Sequence, residues 1–279
     1  RGSLLCDADL ETAASGCQAI INCAGTTDMS LLRLADYLPV NRDLCGRLVQ
    51  LMERCGITTL VHVSTANTVG YGRPGHPAAE DAPAQPPFSH SFYTRSKRAG
   101  EELLIAAARR HSDWHVVLLN PGFIVGSYDA KPSSGRLLLA AYRRRLMAVP
   151  GGGKSFVHAA DVAVAAANAL TMGRSGERYL ATGDNLSLRQ FYLLQARLCG
   201  YRQRCLVLPG TLLLLVGWLG DMLRAVGVRT QLSSCNVRQL MVREYYCAAK
   251  AHAQLDMPCT PVEQAILDFH RWRRGHVAG

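Results

Sequence analysis

The chain has 279 residues, 48% apolar and 19% charged, which excludes a disordered protein and leaves room for a large core in one or two domains. Its formal charge of +10 suits nucleic acid, an anionic membrane surface or a phosphate-bearing cofactor. The basic residues form only short clusters, Arg143–Arg145 and Arg271, Arg273 and Arg274, which read as solvated helix faces and give no nucleic-acid footprint.

The first segment, 7–15, reads as a helix, and AIIN (19–22) as a buried strand. A helix is predicted over 38–55, with Gly56 as its stop. TTLVHVS (58–64) is the next strand, followed by a loop, 65–90, rich in Pro, Gly and His. A helix is predicted over 91–110, then the strand WHVVLLN (114–120), ended by Pro121 and Gly122. This alternation predicts a parallel sheet with helices on both faces. In such sheets ligands bind beyond the carboxyl ends of the strands, so chemistry is expected just after Asn22, Ser64 and Asn120.

Past 122 the pattern loosens. A helix is predicted over 134–145, a turn at 151–153, and an Ala-rich helix capped by Asp161 and running to 172. RYLATG (178–183) reads as a strand, and Ser187 caps a helix to 198. The remainder is mostly helical and closes with 260–274, where Pro261 suits the first helical position. A boundary near 183 divides a nucleotide-binding part, 1–182, from a substrate-binding part, 183–279, with 123–154 serving the substrate side.

The ten cysteines include no CxxC pair. They read as reduced, buried thiols of a cytoplasmic protein, with no disulfide framework and no metal site. The longest apolar stretch, LVLPGTLLLLVGWLG (206–220), is broken by Pro209 and Gly210, so it predicts a buried or interfacial helix and not a membrane crossing.

Two tempting motifs fail on context. Gly70, Gly72 and Gly75 fit G-x-G-x-x-G, but STANTV separates them from the strand and a Pro-rich segment follows, so they read as a loop turn. Residues 148–155 mimic a phosphate loop, yet Ser155 to His158 reads extended where a phosphate loop opens a helix.

Tyr93 and Lys97 stand at i and i+4 near the start of a predicted helix, on one face. A nearby ammonium lowers a phenol's pKa and makes it a proton donor or acceptor near neutrality. Ser64 and Thr65, at the end of the preceding strand, can meet this pair at one edge of the sheet.

With these residues the chain resembles the extended branch of the short-chain dehydrogenases/reductases, which holds sugar-nucleotide epimerases and dehydratases, 3β-hydroxysteroid dehydrogenases and dihydroflavonol-reductase-like enzymes. GCQAIINCAG (16–25) resembles the fourth-strand motif on the cofactor's adenosine side. Val40–Asn41 resembles the helix motif whose Asn supports the active site. VHVSTANTVGYG (61–72) resembles the strand-five motif, with Thr65 at the catalytic Ser/Thr and Ser64 beside it. Tyr93 and Lys97 match YxxxK, NPGFIVG (120–126) resembles the segment around the nicotinamide, and GGGKSFVHAADVA (151–163) resembles a segment of the substrate half. The stretch 131–145 is more similar to reductase-like members.

The resemblance implies a Rossmann-like doubly wound α/β fold with NAD or NADP as cofactor and a small-molecule substrate. It implies catalytic roles for Thr65, Tyr93, Lys97 and Asn41. Contact with the cofactor is implied for Asn22, Cys23, Ala24, Gly25, Ser64, Asn120, Pro121, Gly122, Phe123 and Ile124, besides Tyr93 and Lys97. The implied reaction interconverts a carbonyl and a secondary alcohol. A nucleotide-sugar epimerase or dehydratase is the alternative, and a non-catalytic nucleotide-binding or redox-sensing relative the alternative of another class. A homodimer through the helices 38–55 and 91–110 is expected. RGSLLCDADL resembles the family's segment just after its third strand, so the expectation is a fragment lacking the first βαβαβ half with its pyrophosphate loop. Asn22-Cys23-Ala24-Gly25 departs from the His-x-Ala-Ala of many relatives, which would put Cys23 near the cofactor.

Overall fold

The computed structural model describes residues 1–130 and 134–276. The first half alternates as read: α1 (Asp7–Ala14), β1 (Ala19–Asn22), α2 (Leu44–Cys55), β2 (Thr59–Val63), α3 (Phe92–Arg110) and β3 (His115–Pro121). The second half adds β4 (Phe123–Val125), α4 (Gly135–Ala141), β5 (Leu146–Val149), β6 (Gly153–His158), α5 (Ala159–Asn168), β7 (Arg178–Ala181), β8 (Asp184–Ser187) and α6 (Leu188–Leu198). It ends in β9 (Arg204–Val207), α7 (Gly210–Ala225), α8 (Ser234–Met241), α9 (Ala249–Leu255) and α10 (Val262–His276).

The main sheet is parallel, in the order β1-β2-β3-β7. Its strands are apolar on both faces because both faces are covered. Leu60, Val116 and Leu118 pack with residues of α1, α2 and α3. Their neighbours Val61, Val117 and Leu119 point the other way, onto α5 and α9. At the β1 edge Ile21 is 42% exposed. Two smaller sheets, β4-β6-β8 and β5-β9, belong to the second half of the chain, with a core around Phe156, Phe191 and Phe269.

Several elements differ from the sequence reading, each for a local reason. The predicted 38–55 helix begins with a π-helical turn, Pro39–Asp43, before α2, and Gly56 ends it in the left-handed conformation as expected. The predicted 134–145 helix stops at Ala141, because Arg143 takes a positive φ of 58°. Arg143–Arg145 therefore lead into strand β5 and form no helix face; residues 131–133 of that stretch lie outside the described residues. The Ala-rich helix is capped by His158, whose Nδ1 accepts the Ala160 N–H, and not by Asp161. Asp161 instead accepts from the backbone N–H and hydroxyl of Thr260. Ser187 caps α6 in a capping box with Gln190. Pro261 stands just before α10 and not inside it.

The cysteines are free, but only Cys45 is buried, and Cys6, Cys17, Cys23, Cys55 and Cys259 are exposed. Thiols on short surface elements meet solvent whatever their apolar neighbours in sequence. Among the described residues no cluster of His, Cys, Asp or Glu has metal-binding geometry, and no helix is long and apolar enough to cross a membrane. Gly72 pairs with Tyr245, and Lys154 lies within strand β6, so neither rejected motif has the local structure its chemistry needs.

Candidate active site

At the carboxyl end of β2 the chain turns into a short 3-10 helix, Ala66–Thr68, with Thr65 as its N-cap; the Thr65 hydroxyl accepts from the N–H of Asn67. Tyr93 and Lys97 occupy the first two turns of α3. All three line one cavity of about 790 Å³, which runs from Cys23 and Gly25 past the strand ends to residues 231–246.

The Thr65 and Tyr93 side chains face the same stretch of that cavity. Burial pushes the Tyr93 phenol above its usual 10.0, against the pull of the nearby Thr65 hydroxyl, while the carboxyl of Glu101 pushes it further up. The lowering expected from Lys97 is not seen. That ammonium is itself buried, which draws its pKa down, and it donates to the Val63 carbonyl at 2.9 Å and not toward the phenol. Tyr93 is accordingly a neutral phenol at physiological pH. An ammonium has three donors, and one on Val63 leaves others for the cavity beside Gly25. A Cβ at Gly25 would lie only 3.6 Å from Lys97 Nζ and from Asn41 Oδ1.

The structure divides the sequence-predicted residues into two groups. Cys23, Gly25, Ser64, Thr65, Tyr93, Lys97, Pro121, Gly122, Phe123 and Ile124 line the cavity. Asn22, Ala24, Asn41 and Asn120 stand behind its wall and hold it. Asn22 binds His62 Nδ1 at 3.0 Å and accepts the Ala24 N–H. Asn41 pairs with both backbone groups of Thr26 and donates to the Ser96 hydroxyl at 2.9 Å, tying the loop after β1 to α3. Burial raises the Cys23 thiol, although Lys97 opposes this, so it is no ready thiolate.

Glu101, one turn beyond Lys97 and fully buried, has no place in the sequence reading. Its Oε1 accepts from Ser64 Oγ, Thr68 Oγ1 and Asn120 Nδ2, and its Oε2 pairs with Arg178 at 2.7 Å. Asn120 also donates to the Thr65 carbonyl at 3.0 Å. The Ser64 hydroxyl is thus spent inside the protein, and Thr65 is held from below. A second i+4 step along the same helix face as Tyr93 and Lys97 was the available signal. Lys154 and Glu244, a close and largely buried ion pair on the far cavity wall, were also missed, since nothing in their sequence separation links them.

The family model described as NAD dependent epimerase/dehydratase family matches residues 1–181. The chain belongs to that family. It is 25% identical over 281 residues to a Synechocystis protein named as a dihydroflavonol 4-reductase, covering 97% of this chain and 80% of that one. It is 30% identical over 232 residues to sterol demethylase protein B of Methylococcus capsulatus, covering 81% and 70%. Among solved structures, the Thermus thermophilus UDP-glucose 4-epimerase in complex with NAD superposes with a TM-score of 0.75 at 19% identity, covering 99% of this chain and 84% of that one. Membership of the family makes the protein an NAD(P)-dependent enzyme of the extended short-chain dehydrogenase/reductase type.

Proposed function

We propose that the protein interconverts a carbonyl and a secondary alcohol, with Tyr93 as acid/base. The observation that carries this reading is the convergence of Thr65, Tyr93 and Lys97 on the wall of one large cavity. NAD or NADP, when bound, supplies or takes the hydride. Lys97, with donors to spare, would hold ribose hydroxyls, and Cys23, Gly25 and Pro121–Ile124 would flank the ring systems. The neutral Tyr93 phenol gives its proton to the substrate oxygen in the reducing direction and recovers it in the oxidising one. The Thr65 hydroxyl orients that oxygen. The reductase-named relative supports oxidoreduction. The epimerase reading leans on the Thermus thermophilus fold neighbour, and on Arg136 at the cavity wall as a cation for a diphosphate.

Tyr93→Phe keeps the ring and removes the proton. It is expected to lower carbonyl reduction about 10²-fold or more while cofactor affinity barely changes. With the phenol raised above 10.0, wild-type reduction should hold steady through neutral pH and fall only at strongly alkaline pH, whereas alcohol oxidation should climb as pH rises. Full activity in Tyr93→Phe, or turnover of UDP-sugars without net reduction, would overturn the proposal.

A further inference from the structure

Helix α7 is inside out. Its small residues face the protein: Gly217 and Gly220 are buried, and a Cβ at Gly220 would lie 2.3 Å from the Leu232 carbonyl oxygen. Its large residues face away, with Leu215, Trp218, Leu219 and Met222 at 59, 52, 58 and 69% exposed, one stripe at i, i+3, i+4 and i+7. The chain on either side of α7 is also apolar and exposed, at Leu206 and Val207 of β9 before it and at Val226 and Val228 after it. An exposed apolar patch of this extent on a soluble fold marks an interaction surface.

The charge around it selects the partner. Between Asn185 and Arg243 there are eight arginines and a single acid, Asp221, whose carboxyl is turned inward to the Ser234 N–H at 3.1 Å; of the eight, Arg224 is spent on backbone carbonyls and Arg197 pairs with Glu263. Arg202, Arg204, Arg229 and Arg238 are exposed. A second copy docked on this face would set arginines against arginines. A surface of anionic headgroups over an acyl interior meets both the stripe and its cationic rim. Sixteen residues of helix span about 24 Å, which suits lying in the interface and is too short for a crossing.

We propose that the outward face of α7 seats the protein on the surface of an anionic bilayer. Leu232, which packs under α7 at Gly220, also lines the cavity, so α7 stands beside one end of it. The proposal does not depend on the reaction assigned above.

The test is cosedimentation of the protein with vesicles of phosphatidylcholine alone and of phosphatidylcholine with about one-third phosphatidylserine. Binding at least ~10-fold stronger to the second, weakened by salt, is expected, as about 1 kcal/mol per surface arginine implies. A blue shift of Trp218 emission, absent in Trp218→Phe, should accompany it. Leu215→Glu with Leu219→Glu should abolish binding with the circular dichroism spectrum unchanged, and Arg229→Gln with Arg238→Gln should flatten the phosphatidylserine dependence. If the double glutamate variant folds poorly, Met222→Gln alone should still weaken binding several-fold. No cosedimentation with the anionic vesicles overturns the proposal, as does binding that survives Met222→Gln and the arginine substitutions. A dimer in light scattering that Met222→Gln dissociates, with no vesicle binding, also overturns it and assigns the face to a second copy.

Discussion

Helices α3 and α7 are patterned in opposite senses. α3 buries an amine and a carboxylate, Lys97 and Glu101, and shows Arg95, Arg98 and Glu102 to solvent. α7 buries glycines and shows leucines and a tryptophan. Both patterns are periodic, but the inward side of each is decided by what the neighbouring backbone can satisfy. α3 lies against strand ends that offer the Val63 carbonyl and the Asn120 amide, which satisfy Lys97 and Glu101 there. α7 lies against the backbone of 232–234 at a distance only hydrogen side chains permit.

Three substitutions bear on that comparison. The largest effect is expected from Glu101→Ala, which leaves Arg178, Ser64, Thr68 and Asn120 without their shared acceptor. Breaking a buried ion pair of this kind costs about 3–5 kcal/mol, read from urea unfolding, and Thr65 should lose its alignment, lowering turnover more than cofactor affinity. A loss below ~1 kcal/mol would show that the buried polar face is incidental. Next comes Gly220→Val, whose side chain would collide with the Leu232 backbone; about 1–3 kcal/mol is expected, with faster amide exchange in α8. An unchanged melting temperature would mean that α7 does not pack as described. The smallest effect is expected from Leu219→Ser on the outward stripe, within ~0.5 kcal/mol in lipid-free buffer. A cost near that of a core leucine would place a protein partner on this face in solution.

Much of the first half was legible because its strands and helices announce themselves by apolar runs and periodicity. Tyr93 and Lys97 were legible because one helix carries both. Asn41, Asn22 and Asn120 were found at the right places, but they hold the wall and do not line it, a distinction that depends on which of two faces a side chain takes. Glu101 escaped notice because a glutamate on a helix reads as a solvated charge until its acceptors are known. On the helices named for a homodimer, α2 and α3, Leu103 is the one large apolar side chain exposed among the described residues. The second half was less legible, since β4, β5 and β6 are short and take their pairing from partners far away in sequence.

Arg224, on α7, donates to the carbonyls of Met29, Ser30 and Leu31 as well as Thr230. The first three lie up to 195 residues away along the chain, in the loop that carries Thr27 and Met29 to the cavity. Contacts so remote close only after the entropic cost of a very long loop has been met, later than the pairing of β1 with β2 or β2 with β3. The main sheet can therefore assemble while the cavity is still unfinished. A folding intermediate with an intact sheet and an open loop at 27–31 would be protected from exchange in β1–β3, and blind to ligand until the guanidinium locks.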